Sequence, residues 1–235
     1  MPVTVEPESN KIIGRLIVVP TPVGNRADIT ERAKRELLAV NLIACEEPSH
    51  SRPFLDYLGV AAPVLSYHEQ GDYRRKLDKV MDALRNGARV ALVTSAGTPG
   101  ISDPGFALIR ACIAEEIPVE CLPGATAFVP ALVISGLPTH RFVFEGFLPR
   151  TGKHTRLLEI AAEKRTTIIY ESPQRLLKLL QELIEYCGAD RSGCVVRELS
   201  KQFEEVRRGT LVQLLEHFSQ KTVKCEIVVL LAGAK

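Results

Sequence analysis

The sequence predicts an α/β protein of two domains, a parallel-sheet domain followed by a mixed-sheet one, and three observations lead there. Short apolar runs rich in Val, Ile and Leu alternate with amphipathic stretches as far as residue 136, which is the grammar of a parallel sheet with helical crossovers. Several of those runs end in loops dense in glycine and proline, above all Thr94-Ser-Ala-Gly-Thr-Pro-Gly-Ile-Ser-Asp-Pro-Gly105. Beyond Pro138 the runs at 194–197 and 204–208 follow each other through a link too short for a crossover, so they pair antiparallel. The expected domains are residues 12–138 and 139–235. A chain of 235 residues is long enough for each to bury its own core.

Taken in order, residues 12–19 form a first strand, closed by Pro20-Thr-Pro-Val-Gly-Asn25 and followed by a helix over 29–39. A second strand at 41–45 leads through Glu46-Glu47-Pro48 into a helix reaching residue 58, with Pro48 or Pro53 suited to its first turn. The third strand, 64–67, carries His68-Glu69 at its carboxyl end. Leu77, Val80, Met81 and Leu84 recur at helical spacing in the next helix, which Asn86-Gly87 stops. The run 90–93 is a buried strand, 106–115 a helix, 119–122 a strand, and Pro123-Gly124 opens a helix ending at Ser135-Gly136. In the second domain, strands are expected at 142–146, 166–170, 194–197, 204–208 and 223–231. Helices fall after the basic loop 150–156, over 173–186 and over 211–218.

Composition sets limits. Hydrophobic residues make up 46% and charged residues 25%, which is ordinary for a globular fold. A formal charge of +2 neither requires nor excludes nucleic acid, because local patches decide that. Cysteines 45, 112, 121, 187, 194 and 225 stand singly with no C-x-x-C pair. That points to reduced, packed thiols and a cytoplasmic location. No transmembrane run or signal peptide is visible, so no membrane partner is expected. The five histidines have no zinc-ligand spacing, so no metal is expected. G-x-G-x-x-G, G-x-S-x-G and Walker patterns are missing, which argues against a dinucleotide site of the Rossmann kind, a serine hydrolase and a P-loop enzyme.

Ligands of open α/β sheets sit beyond the carboxyl ends of the strands, and three features stand there: Glu46-Glu47, His68-Glu69 and the loop 94–105. Glycine admits a ligand close to the backbone, proline fixes the path, and short hydroxyls bond either. The same loop also reads as a tight connection in which Asp103 caps the next helix. Glu46, His68 and Glu69 are the candidate acid–base groups. Arg150, Lys153, His154 and Arg156, together with Arg74-Arg75-Lys76, are the candidate phosphate-binding cations.

Several long blocks carry a resemblance: Val18-Val-Pro-Thr-Pro-Val-Gly-Asn-Arg-Ala-Asp-Ile-Thr30, Ser66-Tyr-His-Glu69, Ala96-Gly-Thr-Pro-Gly-Ile-Ser-Asp-Pro-Gly105, Ser135-Gly-Leu-Pro-Thr139, Arg141-Phe-Val-Phe-Glu-Gly-Phe-Leu-Pro-Arg150, Tyr170-Glu-Ser-Pro173 and Arg197-Glu-Leu-Ser-Lys201. In these the chain resembles the tetrapyrrole methylase superfamily, and within it the ribosomal RNA small subunit methyltransferase I family. The resemblance implies S-adenosylmethionine held in a cleft between two α/β domains, a homodimer, and 2′-O-methylation of a cytidine ribose in small-subunit rRNA or the assembled small subunit. Carried over position by position, it implies cofactor contacts at Val23, Ala96, Gly97, Thr98, Ile101, Thr126, Ala127, Glu171 and Leu199. Glu46 aligns with an acidic active-site position of the tetrapyrrole branch.

Three positions depart from the family pattern. Ser95 stands where an aspartate is usual, Ser49 where an arginine is usual, and Gln174 where a histidine is usual. Two other readings stay open at this point: a tetrapyrrole-type methylase of another small substrate, and a non-catalytic RNA- or ribosome-binding module.

Overall fold

The computed structural model describes residues 13–68, 72–149, 151–221, 223–224 and 226–235. They form two compact units, one of residues up to Thr21 and Arg26–Ala125, the other of Pro22–Asn25 and Thr126–Lys235.

The first unit holds β1 (Arg15–Val18), β2 (Leu42–Cys45), β3 (Val64–Ser66), β4 (Arg89–Val93) and β5 (Val119–Cys121), in the order β3-β2-β4-β1-β5. Every pairing is parallel, as the alternating sequence pattern requires. Side chains alternate across a strand, and here both faces are covered. Ile17, Ile43, Cys45, Ala91 and Val93 face a layer built on α1 (Glu31–Ala39) and α2 (Pro48–Tyr57). Leu16, Val18, Ala44, Val90 and Leu92 face one built on α3 (Tyr73–Arg85) and α4 (Phe106–Ala114). Each fully buried Leu, Ile or Val contributes about 1.5–3 kcal/mol, so a sheet that is apolar on both sides accounts for this unit's stability. Local signals agree with it. The Thr30 hydroxyl accepts from Ala33 N at the start of α1, and Pro48 occupies the first turn of α2.

The second unit holds β6 (Phe142–Phe147), β7 (Thr166–Glu171), β8 (Ser192–Arg197), β9 (Glu205–Thr210) and β10 (Ile227–Leu231), in the order β6-β7-β10-β8-β9. β6 and β7 are parallel and the remaining pairs antiparallel, including β8 with β9. The last strand begins at Ile227 rather than 223, where its ladders with β7 and β8 start. One face of the sheet packs on α6 (Lys153–Ala162), α7 (Leu176–Cys187) and α8 (Leu211–Ser219). The capping box of Thr210 and Gln213 lets β9 turn into α8 without a loop.

The other face packs on α5 (Phe128–Ser135), through Ala131, Leu132, Ile168, Cys194, Val196, Val228 and Leu230. This differs from the boundary expected at Pro138. Two apolar residues of α5, Ala131 and Leu132, are buried on the second sheet, so the units divide between Ala125 and Thr126. Residues 22–25 also pack with the second unit. A β-carbon on Gly24 would stand 2.3 Å from Leu199 O, so the backbone there lies directly on the turn after β8.

Candidate functional site

β4 is the middle strand of the first sheet, and the loop that follows it is held by its own backbone. Gly97 exchanges two hydrogen bonds of 2.9 Å with Thr21, the Thr21 hydroxyl donates to Thr94 O at 3.0 Å, and the Thr98 hydroxyl donates to Ala125 O at 2.9 Å. Gly97 and Gly100 have φ of 83°, a region that L side chains rarely enter. Gly105, at φ 143°, would press a β-carbon to 2.9 Å from Leu92 Cδ2. Ser102 also adopts a positive φ, and Ile101 is exposed at the tip. Thr94, 2% exposed, has a buried Oγ1 without a hydrogen-bond partner. Ala96, Gly97, Thr98 and Ile101 are thus brought together on one rigid turn.

Two neighbouring strand ends supply polar groups. Glu46 is half-buried after β2, and its carboxylate makes no hydrogen bond or ion pair with the described residues. Its carbonyl faces the Ser66 hydroxyl at 3.5 Å. After β3, His68 Nε2 lies 2.8 Å from Lys76 Nζ and 3.0 Å from Ser66 Oγ. An ammonium can only donate, so Nε2 carries the lone pair and the ring proton sits on Nδ1. Sequence reasoning singled out Lys76 only as part of a basic run, because its partner lies eight residues away. Glu69 lies outside the described residues.

The second unit carries Val23, Thr126, Ala127, Glu171 and Leu199. Ala127 and Leu199 pack on the same cluster as α5, and Gly24 brings Val23 next to the turn containing Leu199. Glu198 and Ser200, on either side of Leu199, have φ of 54° and 64°, left-handed values that cost non-glycine residues about 1–2 kcal/mol each. Thr126 Oγ1 is buried without a hydrogen-bond partner, and Phe128 N at the start of α5 donates to Tyr170 OH at 3.1 Å.

Glu171 follows Tyr170 on β7, so its side chain takes the opposite face, the side of Ile169 and α7. It is 1% exposed; Oε1 accepts from Ser172 N at 2.8 Å and stands 3.4 Å from Arg175 Nε, while Oε2 has no hydrogen-bond partner. Its backbone remains at the strand end. Among the described residues no cluster of His, Cys, Asp and Glu is fit to hold a metal ion, and no helix is long and apolar enough to cross a membrane. Burial pushes the Cys112 and Cys194 thiols up to about 11, so neither presents a thiolate near neutral pH.

A parallel α/β unit with a glycine- and proline-built turn after its middle strand, and a mixed α/β unit beside it in sequence, are the marks of a tetrapyrrole-type methylase. The family model for Tetrapyrrole (Corrin/Porphyrin) Methylases matches residues 15–215. Solved structures agree on the fold: a cobalt precorrin-4 methyltransferase (TM-score 0.71, 18% identity, 97% of this chain and 98% of that one), a diphthine synthase (0.73, 14%, 93% and 90%), and a Thermus thermophilus uroporphyrin-III C-methyl transferase complexed with S-adenyl homocysteine (0.68, 19%, 93% and 97%).

The sequence narrows this further. Ribosomal RNA small subunit methyltransferase I of Synechocystis sp. is 43% identical over 224 residues, 94% of this chain and 80% of the relative. Its counterparts in Thermotoga maritima and Escherichia coli O157:H7 are 39% and 40% identical, each over 94% of this chain and over 99% and 79% of their own lengths. The chain belongs to the tetrapyrrole methylases and, within them, to the ribosomal RNA small subunit methyltransferase I family.

Proposed function

We propose that this chain is an S-adenosylmethionine-dependent methyltransferase acting on small-subunit ribosomal RNA, with a cytidine 2′-hydroxyl as the methyl acceptor. The observation that carries the reading is identity of 39–43% to relatives bearing that enzyme name, over 94% of this chain. The residues present fit the cofactor. Buried Thr94 Oγ1 and Thr126 Oγ1 lack hydrogen-bond partners. Such orphaned oxygens are costly unless a ligand uses them. Oxygen-rich surroundings suit a cation. When bound, the cofactor supplies an electrophilic methyl group on a positively charged sulfur.

Ala96, Gly97, Thr98 and Ile101, with Val23, Thr126, Ala127, Glu171 and Leu199, bind it in this reading, largely through backbone groups. Their rigidity favours transfer, because fixing donor and acceptor in place removes much of the barrier. The ribose hydroxyl must surrender a proton, and Glu46 is the acceptor with a free carboxylate. His68 accepts only after its Nε2 parts from Lys76. In the working form, a cytoplasmic homodimer, part of the apolar surface of the second unit is covered; Phe142, Phe147 and Val133 are exposed in the single chain.

Calorimetry with S-adenosylhomocysteine and transfer assays on small subunits test the reading. Glu46→Gln is expected to lower turnover by about 10²- to 10⁴-fold, with His68→Ala having a smaller effect, and neither much altering ligand affinity. Wild-type turnover in both variants would sink the assignment of the base. No ligand binding at millimolar concentration would sink the enzyme itself. Light scattering checks the dimer.

A further inference from the structure

Of the basic run most visible in the sequence, Arg150 lies outside the described residues, and the other three members are engaged at home. Lys153 pairs with Glu182, Arg156 pairs with Glu145 and Glu159, and His154 Nδ1 meets Tyr186 OH. Cations without partners lie elsewhere in the second unit. A cavity of about 810 Å³ is lined by His140, Arg141, Glu159, Glu163, Lys164 and Arg165, among others. Its two carboxylates are engaged: Glu163 by the side chain and backbone of Arg165 at 2.7–2.8 Å, Glu159 by Arg156. The Arg141 and Lys164 side chains are exposed and make no hydrogen bond or ion pair with the described residues. The groove therefore presents an uncompensated guanidinium and an uncompensated ammonium, with the His140 ring beside them.

Its wall is built rather than loose. The Thr166 hydroxyl donates to Pro138 O at 2.7 Å. Arg191 donates to Ala161 O, Glu163 O and Ala232 O at 2.6–3.2 Å, which pins the segment carrying Lys164. At Gly233 a β-carbon would fall 1.8 Å from Lys164 O, so backbone lies directly on backbone.

The groove stands at the amino ends of β6 and β7, whereas Glu171 ends β7. Five residue steps separate Thr166 from Glu171, or about 17 Å at a rise of ~3.3 Å per residue. A ligand small enough for one site does not reach the other, but a nucleic-acid strand does.

We propose that this groove docks the phosphate backbone of the RNA substrate, about five nucleotides of rise, at ~3.4 Å each, away from the strand end that carries Glu171. Arg141 offers a planar fork to phosphate oxygens and Lys164 a point charge. The inference rests on the RNA reading above.

The test measures binding of the full chain to a naked RNA fragment of small-subunit rRNA by fluorescence anisotropy across a KCl series. Arg141→Ala/Lys164→Ala should weaken binding on the order of 10-fold and flatten the log–log salt slope by ~2, one for each phosphate no longer neutralised. Methyl transfer should show a raised KM with kcat retained, and affinity for S-adenosylhomocysteine should not change. Arg35→Ala/Lys79→Ala, which removes the same charge elsewhere, should keep the wild-type slope. An unchanged slope in the groove variant while the wild type binds RNA overturns the docking site and leaves the enzyme reading intact. Weakened binding on assembled subunits but not on naked RNA overturns it in favour of a ribosomal protein. Failure of the wild type to bind either the naked RNA or the assembled subunits overturns both.

Discussion

The two units finish their strands by different means. After β4 the first unit uses backbone: Gly97, Gly100 and Gly105 take conformations closed to other residues, and Gly97 is tied to Thr21 by main-chain bonds. After β8 the second unit uses side chains. Arg197 and Glu205 close the base of the 198–204 turn at 2.6 Å, with His217 at 2.6 Å and Lys221 at 2.7 Å on the same carboxylate, while Glu198 and Ser200 bear left-handed strain that glycine would avoid. The first device is insensitive to pH and intolerant of a methyl group. The second is the reverse.

The largest effect expected is at Gly105. Gly105→Ala combines φ of 143° with a contact of 2.9 Å, so it should cost about 1–3 kcal/mol in urea unfolding, with its pH profile unchanged. A smaller effect belongs to Glu205. Burial works to raise its carboxyl, but hydrogen bonds from Lys221, His217 and Arg197 overcome that and hold it at about 2. Because the folded value lies below the ordinary 4.5, this contribution is complete above the unfolded pKa and is lost as pH falls toward 2. Glu205→Gln should therefore lower stability in urea unfolding at pH 7 by about 1 kcal/mol, the scale of a partly exposed network, and approach wild type near pH 2. An equal deficit at both pH values would break the comparison. The smallest effect is a gain: Ser200→Gly relieves a positive φ and should stabilise by roughly 0.5–1 kcal/mol.

The same contrast explains what the sequence revealed. All five strands of the first sheet and its glycine turn were legible, because apolar period and conformational specialists are local signals. The allegiance of α5 was not. It is apolar on nearly every side, with Val129 and Val133 exposed and Ala131 and Leu132 buried, and nothing in such a helix names the sheet it will cover. Nor were the partners of Lys153 and Arg156, since Glu182 and Glu145 lie 29 and 11 residues away. The strained turn at 198–200 was hidden for a simpler reason: Glu and Ser do not advertise left-handed backbone. In the candidate site the glycine loop was visible, whereas the Lys76 contact that fixes the His68 tautomer was not.

The bulge in β6 bears on how this protein behaves at high concentration. β6 is an edge strand with three phenylalanines, two of them exposed, and its ladder with β7 shifts register between Phe144 and Gly146, where Gly146 takes φ of 61°. An unbroken strand of that composition is a template for fibrous self-association. The extra residue twists the rim so that a foreign strand cannot zip along all six residues, and the apolar edge keeps its aromatics without becoming a seed for fibres.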